Sequence, residues 1–276
     1  MKKEISGYRS SGEFISAGRL FSLPLKIPFV KILLLSLFRL AMIALVGSLL
    51  YLSRAAFSKL TFVFYGLVLV LSFYLEYLLL RIQWLYLRKD ISEVLRTVGF
   101  LESNSSIFNL SSSDSLFDPV DVLFGRKRGS GIPGLSDFLN FFVVEFVFMA
   151  AVLLGAMCMI YPAFVVVSWV YPATYLSSLE GCRFRECFRK AQNLTRGKRW
   201  EFAGLLAMQT VVMLPVLLFT EVVIRGVYYS PLNTRYLLTV GAVLALLNMI
   251  FLSYFSVQWL VGYVLLRISE FTGEDP

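Results

Sequence analysis

Four charged residues stand where charge is least expected, inside long apolar runs: Arg39, Glu76, Glu145 and Glu221. An ionisable group within a membrane segment is costly and marks a functional hypothesis by default. Arg39 lies about seven residues into the first run, Glu76 about four from the end of the second, and Glu145 about seven into the third, which puts all three at similar depth in a bilayer of about 30 Å. An Arg39–Glu76 or Arg39–Glu145 ion pair is therefore geometrically open, and would offset much of the desolvation cost of each charge alone. Two readings follow. In the structural one, Arg39 snorkels and the pair locks helix packing; in the functional one, the cluster of Arg39, Glu76 and Glu145 lines a proton or solute pathway. Glu221, near the opposite face, reads as solvated.

Other chemistry is sparse. The chain has no histidine, and its three cysteines, Cys158, Cys182 and Cys187, show no ligand spacing, so no metal site and no cofactor are expected. Asp114, Asp118 and Asp121 sit in a Ser-rich stretch without companions for a metal. No GxSxG elbow and no P-loop is present, and acid–base or nucleophilic catalysis needs a positioned base beside its partner, so the expectation is no enzyme. Pro172 and Pro215 fall within apolar runs, where a missing N–H kinks a helix and frees a carbonyl; transporters use such breaks, and packing features share them. Gln209, Asn248 and Gln258 offer interhelical hydrogen bonds.

The elements that must position these groups follow from hydropathy. The chain of 276 residues is 58% hydrophobic and 16% charged, with mean hydropathy +0.73, against about 45–50% and about 25% in soluble domains. Six apolar runs, 32–52, 60–80, 138–160, 163–179, 202–224 and 237–266, are near the roughly 20 helical residues a bilayer requires. The fold class expected is all-α, a polytopic transmembrane helical bundle of about six spans forming one membrane domain. Met1-Lys2-Lys3-Glu4, followed by polar sequence with Pro24 and Pro28, does not match a cleaved signal peptide, so 32–52 is expected to stay as an anchor. Residues 99–137 hold serines 103, 105, 106, 111, 112, 113 and 115 and read as a flexible cytoplasmic loop.

Orientation follows from basic residues, which cytoplasmic loops retain. Nearly all of the 26 Lys and Arg fall in 1–31, 81–137, 180–201 and the tail; only Arg54, Lys59, Arg225 and Arg235 fall in the other connections. Both termini are thus expected inside, and the net charge of +8 reflects topology, with no nucleic-acid partner implied. Cys182 and Cys187 then lie in the reducing cytoplasm, and no structural disulfide is expected.

Three cytoplasmic stretches carry helical amphipathicity: Phe14, Ala17, Gly18 and Phe21; Ile91, Val94, Leu95 and Val98; and, most clearly, Phe184, Cys187, Phe188, Ala191 and Leu194. The last is expected to lie on the bilayer surface, stopped by Gly197, with Arg183, Arg185, Arg189, Lys190, Arg196, Lys198 and Arg199 among anionic lipid headgroups. An ordinary connector whose charges only set topology is the alternative.

The stretch from Tyr171-Pro172-Ala173 to Glu180-Gly181, then Ala191-Gln192-Asn193-Leu194-Thr195-Arg196-Gly197-Lys198-Arg199-Trp200, and finally Tyr263-Val264-Leu265-Leu266-Arg267-Ile268-Ser269-Glu270 resemble the membrane-domain family named after glycerophosphoryl diester phosphodiesterase and related bacterial six-span families. Residues 12–20 are similar to that family's amphipathic N-terminal helix. Two positions depart: Phe188-Arg189-Lys190 replaces a serine–tryptophan pair, and Leu266 an aspartate. The resemblance implies six-span architecture and a bacterial cytoplasmic (inner) membrane; the phosphodiesterase activity belongs to a soluble domain that this chain does not contain. The function expected is that of a non-enzymatic membrane protein contacting lipid headgroups and organising or regulating a membrane process. A transporter or channel is the first alternative and would show Arg39, Glu76 and Glu145 facing a water-filled cavity. A membrane-bound lipid enzyme is the second and would need a carboxylate in a headgroup-sized pocket.

Overall fold

An apolar run in lipid has no water for its backbone, and a helix satisfies every N–H and C=O internally. The computed structural model describes residues 16–56, 61–97, 135–158, 160–229 and 234–272, and over these it is all-α, with no strand. Eight α-helices follow in order: α1 Ala17–Ser22, α2 Phe29–Ala56, α3 Thr61–Thr97, α4 Leu135–Cys158, α5 Ile160–Tyr175, α6 Phe184–Leu194, α7 Arg199–Tyr229 and α8 Thr234–Thr272.

Five of them, α2, α3, α4, α7 and α8, are long and apolar enough to cross a membrane. The fourth expected run, 163–179, is built differently. Its α-helix, α5, has 16 residues, short of a bilayer crossing, and passes directly into a π-helical turn, Leu176–Glu180. That turn ends on Gly181, whose φ of 65° is left-handed and suits glycine.

The amphipathic stretch beginning at Ile91 is no separate surface helix. It continues α3, whose 37 residues reach about 55 Å at 1.5 Å per residue, and Ile91, Val94 and Leu95 are buried in the bundle. Of the loop expected over 99–137, residues 99–134 lie outside the described residues, while Leu135, Ser136 and Asp137 form the first turn of α4, where an acidic side chain suits the helix dipole. In α1, Ser16 caps the first turn by accepting from Arg19 N, and the residue most buried is Leu20, outside the expected stripe.

Burial is concentrated at one end of every long helix. The last fully buried residue of α2 is Ser36; in α3 most burial falls between Tyr77 and Leu95, in α4 between Phe138 and Val144, in α7 between Phe202 and Gln209, and in α8 between Ser253 and Ile268. Because these helices alternate in direction, their packed halves gather at the same end, and the opposite halves expose leucine, valine and phenylalanine. The centre of the packed end is α5: every residue from Tyr171 to Ser178 is buried. Aromatic contacts tie it to its neighbours, with Tyr171 4.8 Å from Phe202 and 4.4 Å from Trp259, and Tyr175 stacked on Tyr263 at 5.3 Å. The short α1 is held beneath, its Phe21 carbonyl accepting from Tyr254 Oη at 2.6 Å and Gln258 Nε2 at 3.0 Å.

Candidate functional site

Where the packed end meets the splayed end, six helices leave a central cavity of ≈ 700 Å³. Arg39 of α2, Glu76 of α3 and Glu145 of α4 all line it. Each lies just beyond its helix's last tightly packed turn, so the same asymmetry that makes the space places the charges around it.

Arg39 approaches Glu76, Nη2 to Oε1 at 3.8 Å, the outer limit of an ion pair. Glu145 has no cationic partner among the described residues; its Oε2 accepts from Thr174 Oγ1 at 2.9 Å. Of the two ion pairs open to the sequence, the structure forms Arg39–Glu76, and it leaves that pair facing the cavity.

Residues to which the sequence reading gave no site role complete the polar end. Thr174 and Tyr175 come from the buried stretch of α5 and Ser256 from α8, with Tyr175 Oη donating to the Ser256 carbonyl at 3.3 Å and Ser256 Oγ to Gln83 Oε1 at 2.9 Å. Tyr171, also lining the space, carries a buried hydroxyl with no hydrogen-bond partner among the described residues. Gln209 borders the cavity through a network fixed on α8: Gln209 Nε2 donates to Gln258 Oε1 at 2.6 Å, and Trp259 Nε1 donates to Gln209 Oε1 at 3.0 Å. The interhelical role expected of these amides holds, and Asn248 Nδ2 reaches Thr220 on α7 at 3.3 Å.

One to two turns further along α2, α4, α5 and α8 the lining becomes apolar, at Met42, Val46, Val152, Val167 and Leu252, and α3 adds Ser72, whose hydroxyl donates to its own helix at the Val68 carbonyl. The cavity is thus polar at one end and greasy at the other. The two prolines separate: Pro172 is buried between the cavity residues Tyr171 and Thr174, whereas Pro215 sits exposed on the splayed half of α7, away from the cavity.

Helix α6 keeps its amphipathic pattern, and its apolar stripe faces protein. Cys187, Ala191 and Leu194 are buried in the main core with Tyr175 of α5 and Leu176 of the π-helical turn. Asn140 of α4 holds its N-terminus, Oδ1 accepting from Phe184 N at 3.3 Å and Nδ2 donating to Cys182 O at 3.0 Å. The expected bed of lipid under this stripe is therefore corrected to a bed of protein. Arg183, Arg185, Arg189 and Arg196 remain exposed. Lys190 is paired with Glu186 at 2.9 Å, and the Arg199 guanidinium lies over the Trp169 ring at 4.3 Å, so these two are already engaged. Lys198 is half-buried at the Gly197 turn, which has φ 82° and ends the segment as expected.

The cysteines at α6 are unequal. The Cys187 thiol donates to the Cys182 carbonyl at 2.9 Å, and Lys190 Nζ lies 3.8 Å from Cys182 Sγ. A side-chain hydrogen bond between the two thiols, with Cys187 the donor, aided by the Lys190 charge, holds the Cys182 thiol below its ordinary pKa despite burial and the Glu180 charge. The same bond and burial push Cys187 up. Because the thiolate is the nucleophile, in a Cys158→Ser background maleimide at pH 7 should label Cys182 before Cys187, and Lys190→Ala should slow the Cys182 reaction. Mass spectrometry of the labelled peptide reads the order, and equal rates would show that the two thiols are equivalent.

Beyond the cavity, two segments far apart in sequence meet. Tyr263 Oη donates to Glu180 Oε1 at 2.5 Å, Arg267 Nε lies 2.8 Å from the same carboxylate, and Arg267 also pairs with Glu270. Glu180 closes the π-helical turn, so the C-terminal part of α8 is pinned to the end of α5 below the cavity. Compared with protein-family models, curated proteins and solved structures, the chain matches none of them.

Proposed function

We propose that this protein is a non-enzymatic, multi-pass membrane carrier that binds its cargo in the central cavity, with six membrane passes, α5 and its π-helical turn forming the fourth, and with both termini and the basic helix α6 on the cytoplasmic side of a bacterial inner membrane. The observation that carries the reading is that Arg39, Glu76 and Glu145 share one cavity of ≈ 700 Å³ and are not sealed into a closed pair. Intramembrane charges retained at such cost face substrate or ion pathways, and the volume falls in the range of about 300–1,000 Å³ usual for small-molecule sites. Pro172 and the π-helical turn place an irregular helix segment beside the cavity, the arrangement broken helices supply in transporters.

Reconstitution tests this. Proteoliposomes containing the protein should move fluorescent amphiphiles across the bilayer faster than protein-free vesicles, and Glu76→Gln and Glu145→Gln should abolish that movement while helicity and monodispersity in detergent are retained. Should both variants fold and transport like the parent, the carrier reading is lost; should both fail to fold, the charges serve packing.

The basic face of α6 supports a second, compatible role in headgroup contact. Trp200, which follows the exposed arginines, is itself exposed, and an aromatic beside cations suits the membrane interface.

A further inference from the structure

The charges around the cavity do not balance. Arg39 is matched by Glu76 at 3.8 Å, and the second carboxylate, Glu145, has only the Thr174 hydroxyl among the described residues. One negative charge is left over in a space whose farther walls are apolar, and a lone buried charge attracts either a proton or a cation. Among the described residues no basic side chain other than Arg39 lines the cavity.

The aromatic lining points the same way. Phe148, one turn along α4 from Glu145, together with Tyr171, Tyr175, Phe255 and Trp259, borders the space. Ring faces carry negative quadrupole and attract cations, most strongly where water is excluded. An anion would meet Glu145 and these rings and would have to draw Arg39 from Glu76. Met42, Met149 and Val152 beyond the charges supply an adaptable apolar wall for the rest of the ligand.

Resting on the cavity being a binding site, we infer that its ligand is a hydrophobic monocation, an organic cation with one positive charge on an apolar body, held by Glu145 and the aromatic rings and exchanged there against a proton. Among the described residues, the ionisable groups that share the cavity with Glu145 are Glu76 and Arg39 from α3 and α2 and Tyr175 and Tyr171 from α5, the Tyr171 hydroxyl lying buried beside Gly262; α7 and α8 present the neutral Gln209, Ser256 and Trp259. A cation entering beside Glu145 displaces its proton to solvent, with no bond to carbon made or broken. Proton and cation therefore compete for one carboxylate.

The full chain in lipid nanodiscs can be tested with two ions of nearly equal size and opposite charge, tetraphenylphosphonium and tetraphenylborate, as saturable binding above that of protein-free discs. The parent should bind the cation about tenfold or more tightly than the anion, and Glu145→Gln should lose about tenfold or more of the cation affinity, the scale expected when one partner of a buried charge contact is truncated. Lowering the pH from 8 to 6 should weaken cation binding to the parent and leave Glu145→Gln unaffected. If Glu145→Gln does not fold, the pH response of the parent with the two ions decides alone. Equal or tighter anion binding, or cation binding indifferent to pH and to Glu145→Gln, overturns the cation inference and leaves the cavity as a binding site. Absence of saturable binding by either ion, or binding unchanged when Val152→Trp fills the apolar end, overturns both.

Discussion

Glu180→Ala is expected to destabilise the protein by about 3–5 kcal/mol, the cost of removing one partner of a buried ion pair. The side chains of Glu180 and Arg267 are 11% and 12% exposed, and Tyr263 is fully buried, so little water can replace what is lost. The substitution leaves the Tyr263 hydroxyl without its acceptor and Arg267 with Glu270 at its more exposed edge. It also frees the end of the π-helical turn from α8, which should loosen the floor of the cavity. Glu180→Gln keeps an acceptor for Tyr263 and should recover part of the loss. Thermal unfolding in detergent, followed by circular dichroism, measures both, and a loss under about 1 kcal/mol for Glu180→Ala, the value of an exposed pair, would mean the contact is solvated. Tyr263→Phe added to Glu180→Ala should cost less than the sum of the two, because both remove the same hydrogen bond.

Phe202→Ala should cost about 3–5 kcal/mol by opening a void that its neighbours cannot close. The ring is fully buried, stacked on Trp259 at 6.0 Å and packed on Tyr171. Across from it lies Gly262, where an added Cβ would come within 2.7 Å of the Phe202 Cε1. With the ring confined by two aromatic neighbours, Gly262→Ala alone should cost about 1–3 kcal/mol through overpacking. In Phe202→Ala the same methyl group meets empty space, so the double variant should be more stable than the two losses added together predict. Strict additivity would show that the ring swings away freely and that the α7–α8 contact is looser than the distances imply.

How far the sequence revealed the fold depends on what hydropathy can report. A run of apolar residues announces a helix, and five of the six expected runs lie on helices long enough to cross a bilayer. The same signal cannot tell a helix washed by lipid from one enclosed by other helices, because valine and leucine suit both. Thus 163–179 looked like its neighbours although Tyr171–Ser178 is enclosed on all sides. Amphipathicity at α6 was legible for the same reason, and so was its ambiguity: Cys187, Ala191 and Leu194 recur at helical spacing whether protein or lipid lies beneath. Charge was the more informative signal. Counting depth placed Arg39, Glu76 and Glu145 at one level, and they share one cavity. Thr174, Ser256 and Tyr175 could not have been added, since a lone serine or threonine in an apolar run normally bonds its own helix, and a lone tyrosine says nothing of what its hydroxyl reaches. Glu180, Tyr263 and Arg267 are each plain in the sequence, but their meeting depends on the path of the chain over more than eighty residues.

The one-sided packing of the bundle has a mechanical meaning. Helices clamped at one end and unsupported at the other act as levers, and a tilt of about 5° at the clamp carries the tip of a roughly 30 Å helix through two to three ångströms. In the proposed carrier the free arms would rest on acyl chains, and the width of the mouth would answer to the lateral pressure and thickness of the surrounding lipid as well as to contacts within the chain. The bilayer would in this sense be a component of that carrier, setting how wide the opening stands while the clamped end keeps the charges in register.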